Sequence, residues 1–192
     1  MGRALARSVT TQLNSRFEII CLDKSVINLA ESGSSENLLQ LLELLKPHVV
    51  IQLACIKRQS ADSADIYKLN NLISHESATA LSRFETKVIY LSSCAVFGEK
   101  NHQENYTESS TINPTSFYGS HKAESEKTYQ ERLLSSNLTI VRPPLIYSMY
   151  QDSGYHPGKF VSEALISERI HLCCIEKRKS KAQHFKCQKS YE

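Results

Sequence analysis

Three residues of this 192-residue chain carry side chains suited to acid–base chemistry on an alcohol. Ser93 follows the apolar segment 87–92 and offers a hydroxyl group. Tyr118 and Lys122 lie four residues apart, so on a helix they would share one face. A lysine cation beside a phenol favours the phenolate and lowers the phenol's pKa. The set predicts a site that moves a proton on and off a hydroxyl group, with Ser93 as a hydrogen-bond donor.

The Tyr-x-x-x-Lys spacing occurs twice in the chain. The second copy, Tyr155 to Lys159, contains Pro157 and Gly158, which oppose a regular helix. The first copy lies in residues 116–134, which contain no proline and many helix-forming residues. A tyrosine and a lysine at this spacing are more often a plain pair on a helix surface. The elements around the first copy are what favour a functional site there.

The predicted elements alternate between strands and helices. Strands are expected at 17–22, 48–54, 87–92 and 138–142, and helices at 37–45, 64–83 and 116–134. Apolar strands separated by helices indicate an α/β fold, a Rossmann-like doubly wound parallel sheet covered on both faces. Ligands bind such sheets at the carboxyl ends of the strands, where Asp23, Ala54 and Ser93 fall. An acidic residue at Asp23 suits ribose hydroxyls, although a plain helix cap is an equally good interpretation.

Composition excludes several other classes of protein. Apolar residues make up 41% of the chain and charged residues 22%, as in ordinary globular domains. No apolar segment is long enough to span a membrane and no signal peptide is evident, so we expect no membrane partner and a cytoplasmic location. The six cysteines show no CxxC spacing, which indicates a reducing compartment and predicts no metal site.

The net charge of +3 is concentrated near the carboxyl terminus. Residues 175–192 hold six Lys or Arg against two Glu, whereas the rest of the chain has no basic excess. We therefore predict no nucleic-acid partner, and a basic, poorly ordered tail at 171–192.

In their order along the chain, these motifs resemble the extended short-chain dehydrogenase/reductase family, which includes NAD-dependent nucleotide-sugar epimerases and dehydratases. Residues 50–54 resemble the strand that enters the family's cofactor loop, and residues 142–147 resemble the segment beneath the nicotinamide. Ser93 lies five residues before Gly98, at the family's catalytic Ser/Thr position, and Tyr118 follows 25 residues later.

The resemblance implies a role for each site residue. Tyr118 would be the acid/base, Lys122 would bind the nicotinamide ribose and lower the pKa of Tyr118, and Ser93 would hold the substrate oxygen. NAD would be the cofactor and a nucleotide sugar the substrate, with hydride passed to NAD and returned in an epimerase reaction. The implied cofactor-binding residues are Asp23, Ala54, Lys57, Asn70, Tyr118 and Lys122.

Two departures from the family's pattern leave alternatives open. Dehydratases of the family carry Asp and Glu directly after the Ser/Thr, whereas this chain has Cys94 and Ala95, so an epimerase or a reductase is favoured over a dehydratase. The chain begins at Met1, and Gly2 resembles the last glycine of the phosphate-binding turn. We therefore expect a sheet that lacks its first strand and its glycine-rich turn, in a chain truncated at both ends.

These departures shape the domain prediction and its alternatives. Residues 1–170 would form an incomplete NAD-binding domain with the start of a substrate subdomain, followed by the tail at 171–192. The alternative to an enzyme is a non-catalytic remnant or scaffold that binds cofactor weakly or not at all. Residues 1–16, which contain Arg3, Arg7 and Arg16 and no acidic residue, also match an organelle transit peptide. Helices 64–83 and 116–134 could form the seam of a homodimer, as the resemblance implies.

Overall fold

The structure is a computed structural model that describes residues 17–56, 63–98 and 105–144, together with two short strands at 169–172 and 183–186. The chain divides into two compact units, Met1–Ile146 and Tyr147–Glu192. The expectations for residues 1–16 and for Lys57 lie outside the described residues, as does most of the predicted tail.

Three parallel strands and three helices alternate in the first unit. They are α1 (Ser34–Leu45), β1 (Val49–Gln52), α2 (Ala64–Ser82), β2 (Lys87–Leu91), a 3₁₀ helix (Cys94–Phe97), α3 (Phe117–Arg132) and β3 (Leu138–Val141). The strand order is β1-β2-β3, and Val88 pairs with Val50 on one side and Leu138 on the other. A helix crosses over between each pair of parallel strands, so the predicted Rossmann-like α/β fold is confirmed.

The helices begin where the sequence supplies caps. The hydroxyl of Ser63 accepts the Ile66 N–H at the start of α2, and that of Ser116 accepts the Gly119 N–H at 3.0 Å at the start of α3. At α1 the cap comes from another helix. The buried Glu76 carboxylate of α2 accepts the backbone N–H groups of Gly33 and Ser35, at 3.1 and 2.8 Å.

The Glu76 carboxylate keeps its charge despite its burial. Burial raises the pKa of Glu76, but the hydrogen bonds from Ser35 and Gly33 lower it by more, so the net pKa lies below its usual value. This carboxylate therefore ties the start of α1 to α2.

The core lies on one face of the sheet. Val88 and Tyr90 point to the same side of β2 and are almost fully buried. The ring of Tyr90 stacks on that of Tyr129 from α3, with centroids 4.6 Å apart. The helices complete this core with Leu38, Leu39, Leu42, Ala78, Ala80, Leu81 and Leu133.

The opposite face of the sheet is more open. Val49 and Ile51 of β1 are 48% and 44% exposed, and Val141 of β3 is exposed as well. Within the described residues, helices pack on the Tyr90 face, and the second helical layer expected of a doubly wound sheet is not among them.

The prediction of a strand at 17–22 is wrong. These residues have no strand conformation, and Phe17 and Ile20 are at least half exposed. A strand requires a hydrogen-bonded neighbour, and no described strand pairs with this segment. The other predicted strands are present but shorter by one to three residues, and α1 begins three residues earlier than predicted.

The second unit contains two strands that the sequence analysis did not predict. Strand β4 (Arg169–Leu172) pairs antiparallel with β5 (Gln183–Lys186). Segments of four residues give too little periodicity to separate a strand from a loop. No helix among the described residues is both long and apolar enough to cross a membrane.

Candidate functional site

Ser93 lies just beyond the carboxyl end of β2. Its backbone is extended and it starts the 3₁₀ helix Cys94–Phe97, where its hydroxyl oxygen accepts the Ala95 N–H at 3.2 Å. A hydroxyl that accepts one N–H keeps its own proton for donation. The side chain is half-buried, so a ligand at this edge of the sheet can reach it.

Lys122 places a buried cation at the same edge. Its Nζ donates to the backbone oxygen of Leu91 at 2.7 Å and to the hydroxyl of Tyr90 at 3.3 Å. Burial lowers the pKa of Lys122, and the nearby Cys55 and Glu126 side chains partly oppose that effect. The ammonium group is therefore bonded to the last two residues of β2, which lie three and two positions before Ser93.

Tyr118 stands in the first turn of α3, half-buried, with its ring edge-on to that of His121 at a centroid distance of 5.3 Å. Burial raises the pKa of Tyr90, and Tyr118 is among the groups close enough to raise it further. Tyr118 therefore lies near the same Tyr90 side chain whose hydroxyl meets Lys122.

Gly119 explains how α3 comes so close to Ser93. A Cβ atom at Gly119 would lie 2.5 Å from the backbone oxygen of Ala95, so only glycine allows this approach of helix and loop. The first turn of α3 thus packs directly on the 3₁₀ helix that Ser93 begins. The structure brings Ser93, Tyr118 and Lys122 to one edge of the sheet.

An ion pair between Glu126 and Arg142 stabilises this edge of the sheet. The Glu126 carboxylate accepts Arg142 Nε at 2.9 Å and Arg142 Nη2 at 2.8 Å, and it also accepts the Ser92 hydroxyl. Glu126 follows Lys122 by one helical turn, and Arg142 directly follows β3. Hydrogen bonding to Glu126 raises the pKa of Arg142. The pair therefore locks α3 to the ends of β2 and β3.

The loop after β1 is held by Asn70. The buried Asn70 amide accepts the Ile56 N–H at 2.7 Å and donates to the Ile56 oxygen at 3.1 Å. Ala54 is exposed in this loop, and its N–H meets the Gln52 side chain at 3.3 Å. Asn70 thus fixes the backbone of the predicted cofactor loop, while Lys57 lies outside the described residues.

Asp23 lies in a local turn and not at the end of a strand, which corrects the predicted setting. Its Oδ1 accepts the Ser25 N–H at 2.9 Å, and the residue is exposed. Its role in binding ribose stays a prediction.

Sequence reasoning missed Tyr90 and Arg142 as partners of the site. The signal for Arg142 was Glu126, four residues after Lys122 on the same helix face, a charge that needs a partner if it is buried.

A shallow cavity of about 650 Å³ opens elsewhere, at the amino ends of β1 and β2, beside Pro47, His48 and Thr86. The predicted catalytic side chains of Ser93, Tyr118 and Lys122 lie at the other end of the strands.

Solved structures share this fold. The dTDP-4-dehydrorhamnose reductase from Bacillus anthracis, in complex with NADP, is 23% identical with a TM-score of 0.66, over 78% of this chain and 52% of its own. The same enzyme from Yersinia enterocolitica is 21% identical with a TM-score of 0.68, over 85% and 57%. UDP-glucuronic acid 4-epimerase from Bacillus cereus, in complex with NAD, is 23% identical with a TM-score of 0.59, over 81% and 48%.

The chain thus spans about half the length of these structures. A comparison with curated proteins finds no significant match. The family model described as "NAD dependent epimerase/dehydratase family" matches residues 1–174. The chain belongs to the NAD-dependent epimerase/dehydratase family.

Proposed function

We propose that this chain binds NAD and serves an epimerase-type reaction on a nucleotide sugar, with Ser93, Tyr118 and Lys122 as its catalytic set. The observation that carries the proposal is the buried Lys122 cation, bonded to Leu91 O at 2.7 Å at the carboxyl end of a central parallel strand. Ligands of open α/β sheets bind at this end. Membership of the family supplies the class of cofactor and of reaction.

The donors and acceptors at this edge suit a dinucleotide. Lys122 has three N–H groups, and its two hydrogen bonds within the described residues leave one for a ribose hydroxyl. The Asp23 carboxylate, which accepts from Ser25, would contact the hydroxyls of a second ribose. The loop that Asn70 fixes would lie along the cofactor. A bound NAD would supply the acceptor for hydride from the sugar carbon and the donor for its return.

The chain's own residues would handle the proton. The Lys122 cation would stabilise the phenolate form of Tyr118, and this phenolate would take the proton of the sugar hydroxyl and become a neutral phenol. Ser93 would donate a hydrogen bond to the same sugar oxygen and hold it in line with Tyr118. Because Tyr118 and Ser93 are half-buried, both combine a fixed position with access for a ligand.

A dehydratase reaction and a reductase reaction are the two enzymatic alternatives to this proposal. A dehydratase reaction needs further acid–base groups beside Ser93, and the positions that follow it are Cys94 and Ala95. A reductase reaction would use the same three residues and differs in that the hydride is not returned. The non-enzymatic alternative is a scaffold that keeps these residues without binding cofactor.

The test uses the full chain and the variant Tyr118→Phe, which removes only the phenol hydroxyl. We expect turnover of nucleotide sugars to fall by at least about 100-fold, while NAD affinity measured by calorimetry stays close to that of the unaltered chain. Tyr155→Phe is the matched control, because Tyr155 has the same spacing to a lysine and is expected to leave turnover unchanged. Turnover retained in Tyr118→Phe would contradict the assigned proton transfer, and a folded chain that neither binds NAD nor turns over any sugar would favour the scaffold.

A further inference from the structure

Behind Lys122 several buried hydroxyl groups of the sheet and the helices lie close together. Tyr90 of β2 accepts a hydrogen bond from Lys122 Nζ at 3.3 Å. Burial raises the pKa of Tyr90, and the nearby Ser125 hydroxyl partly opposes that rise. Ser125 in turn lies 2.7 Å from the Ser74 hydroxyl of α2. All four side chains are at least nine-tenths buried.

The donor and acceptor of the Lys122–Tyr90 hydrogen bond follow from the groups involved. An ammonium group has three N–H donors and no acceptor, so Tyr90 must accept and turn an oxygen lone pair towards Lys122. Ser125 donates its proton to the backbone oxygen of His121 at 2.7 Å, so Ser74 must donate to Ser125.

This arrangement matters because Lys122 is a buried cation. A buried ammonium group is costly unless its N–H groups meet acceptors. The Leu91 oxygen is one acceptor and Tyr90 is the second, while the Tyr90 ring lies 4.9 Å from Nζ. The two acceptors both come from the last residues of β2, so they fix the ammonium at the carboxyl end of that strand.

We propose that Tyr90 is the positioning residue for Lys122, because its hydroxyl oxygen and the Leu91 oxygen hold two N–H groups on β2 and leave one for a ligand. The consequence for catalysis rests on the proposed function, whereas the hold on the ammonium does not. Tyr90→Phe removes this acceptor but keeps the ring that stacks on Tyr129.

The test measures the pKa of Lys122 itself. The chain is labelled with carbon-13 at lysine Cε, the Lys122 signal is assigned by its loss in Lys122→Met, and its chemical shift is followed against pH. Removing an acceptor disfavours the charged form, so we expect the pKa of Lys122 to fall by about one unit in Tyr90→Phe. Tyr129→Phe is the matched control, since Tyr129 is equally buried, stacks on the same ring and does not bond to Lys122.

A second variant keeps the test decisive if Tyr90→Phe fails to fold. Tyr90→Met removes the same acceptor with a flexible apolar side chain, so the Lys122 pKa should fall in the same direction. An unchanged Lys122 pKa in the folded variants would overturn the proposal, and so would an equal shift in Tyr129→Phe. If the unaltered chain binds no NAD while Tyr90→Phe still shifts Lys122, the proposed function fails and the positioning role stands. In an active chain, the Tyr90→Phe defect should fall on kcat and shift its pH profile, with little change in KM.

Discussion

Removing the carboxylate of Glu126 should destabilise the fold more than any other single charge deletion on α3. Glu126 is 2% exposed and receives hydrogen bonds from two guanidinium nitrogens of Arg142 and from Ser92. Glu126→Ala leaves the Arg142 charge unpaired and the buried Ser92 hydroxyl without its acceptor. Breaking a buried ion pair costs about 3–5 kcal/mol.

The structure places the expected loss near the lower end of that range. The Arg142 side chain is 18% exposed, and its Nη1 can still donate to the backbone oxygen of Glu108, at 3.1 Å, after the substitution. Its guanidinium carbon lies 5.2 Å from the centre of the Phe97 ring, a contact that also remains. We therefore expect Glu126→Ala to lower the free energy of unfolding by about 3 kcal/mol.

The assay is urea denaturation followed by far-UV circular dichroism. Glu131→Ala on the same helix is the matched control, because Glu131 faces Lys127 at 3.9 Å and both side chains are more than 60% exposed. That variant should lose less than about 0.5 kcal/mol. In the double variant Glu126→Ala/Arg142→Met, part of the loss should be recovered because no unpaired charge remains. A loss below about 1 kcal/mol in Glu126→Ala would refute the reasoning.

Two further predictions concern the same helix. Gly119→Ala should lower the free energy of unfolding by about 1–2 kcal/mol in the same denaturation assay, because its Cβ would collide with the backbone oxygen of Ala95. The control Ser120→Ala should be near neutral. Equal stability of the two variants would contradict the close approach of α3. His121 is buried with both ring nitrogens unpartnered among the described residues, and burial lowers its pKa from 6.5 to about 3. Between pH 6.5 and about 3 the unfolded chain therefore binds a proton at His121 that the folded chain does not bind, so stability should fall as the pH drops through this range. His121→Phe should make stability depend less on pH in this range. An unchanged dependence would contradict a neutral, buried imidazole.

The alternation of strands and helices could be read from the sequence because each described element carries its own pattern. The apolar run at 87–92 and the helix-forming segments at 64–83 and 116–134 are local signals, and β2, α2 and α3 appear within those segments. The segment 17–22 has a strand-like run as well. The strand prediction for this segment was wrong because a strand also depends on a neighbouring strand, and a local sequence pattern does not show whether that neighbour is present.

The same limit applies to the candidate site. The position of Ser93 followed from the rule that ligands bind at the carboxyl ends of parallel strands, whereas its association with Lys122 was implied by the resemblance to the family. The contact of Glu126 with Arg142 and that of Lys122 with Tyr90 depend on the packing of α3 against the sheet. A buried charge signals that a partner exists but does not identify it.

The most direct test of the central claim is calorimetric titration of the folded 192-residue chain with NAD, beside the variants Lys122→Met and Lys127→Met. Lys127 is the matched control, because it lies on the same helix with a side chain 65% exposed. The proposed function predicts measurable binding by the unaltered chain, weakened at least about tenfold by Lys122→Met, equivalent to about 1.4 kcal/mol, and unaffected by Lys127→Met. Equal NAD affinity in Lys122→Met, or no binding by a folded chain, would contradict a cofactor site at the carboxyl end of β2.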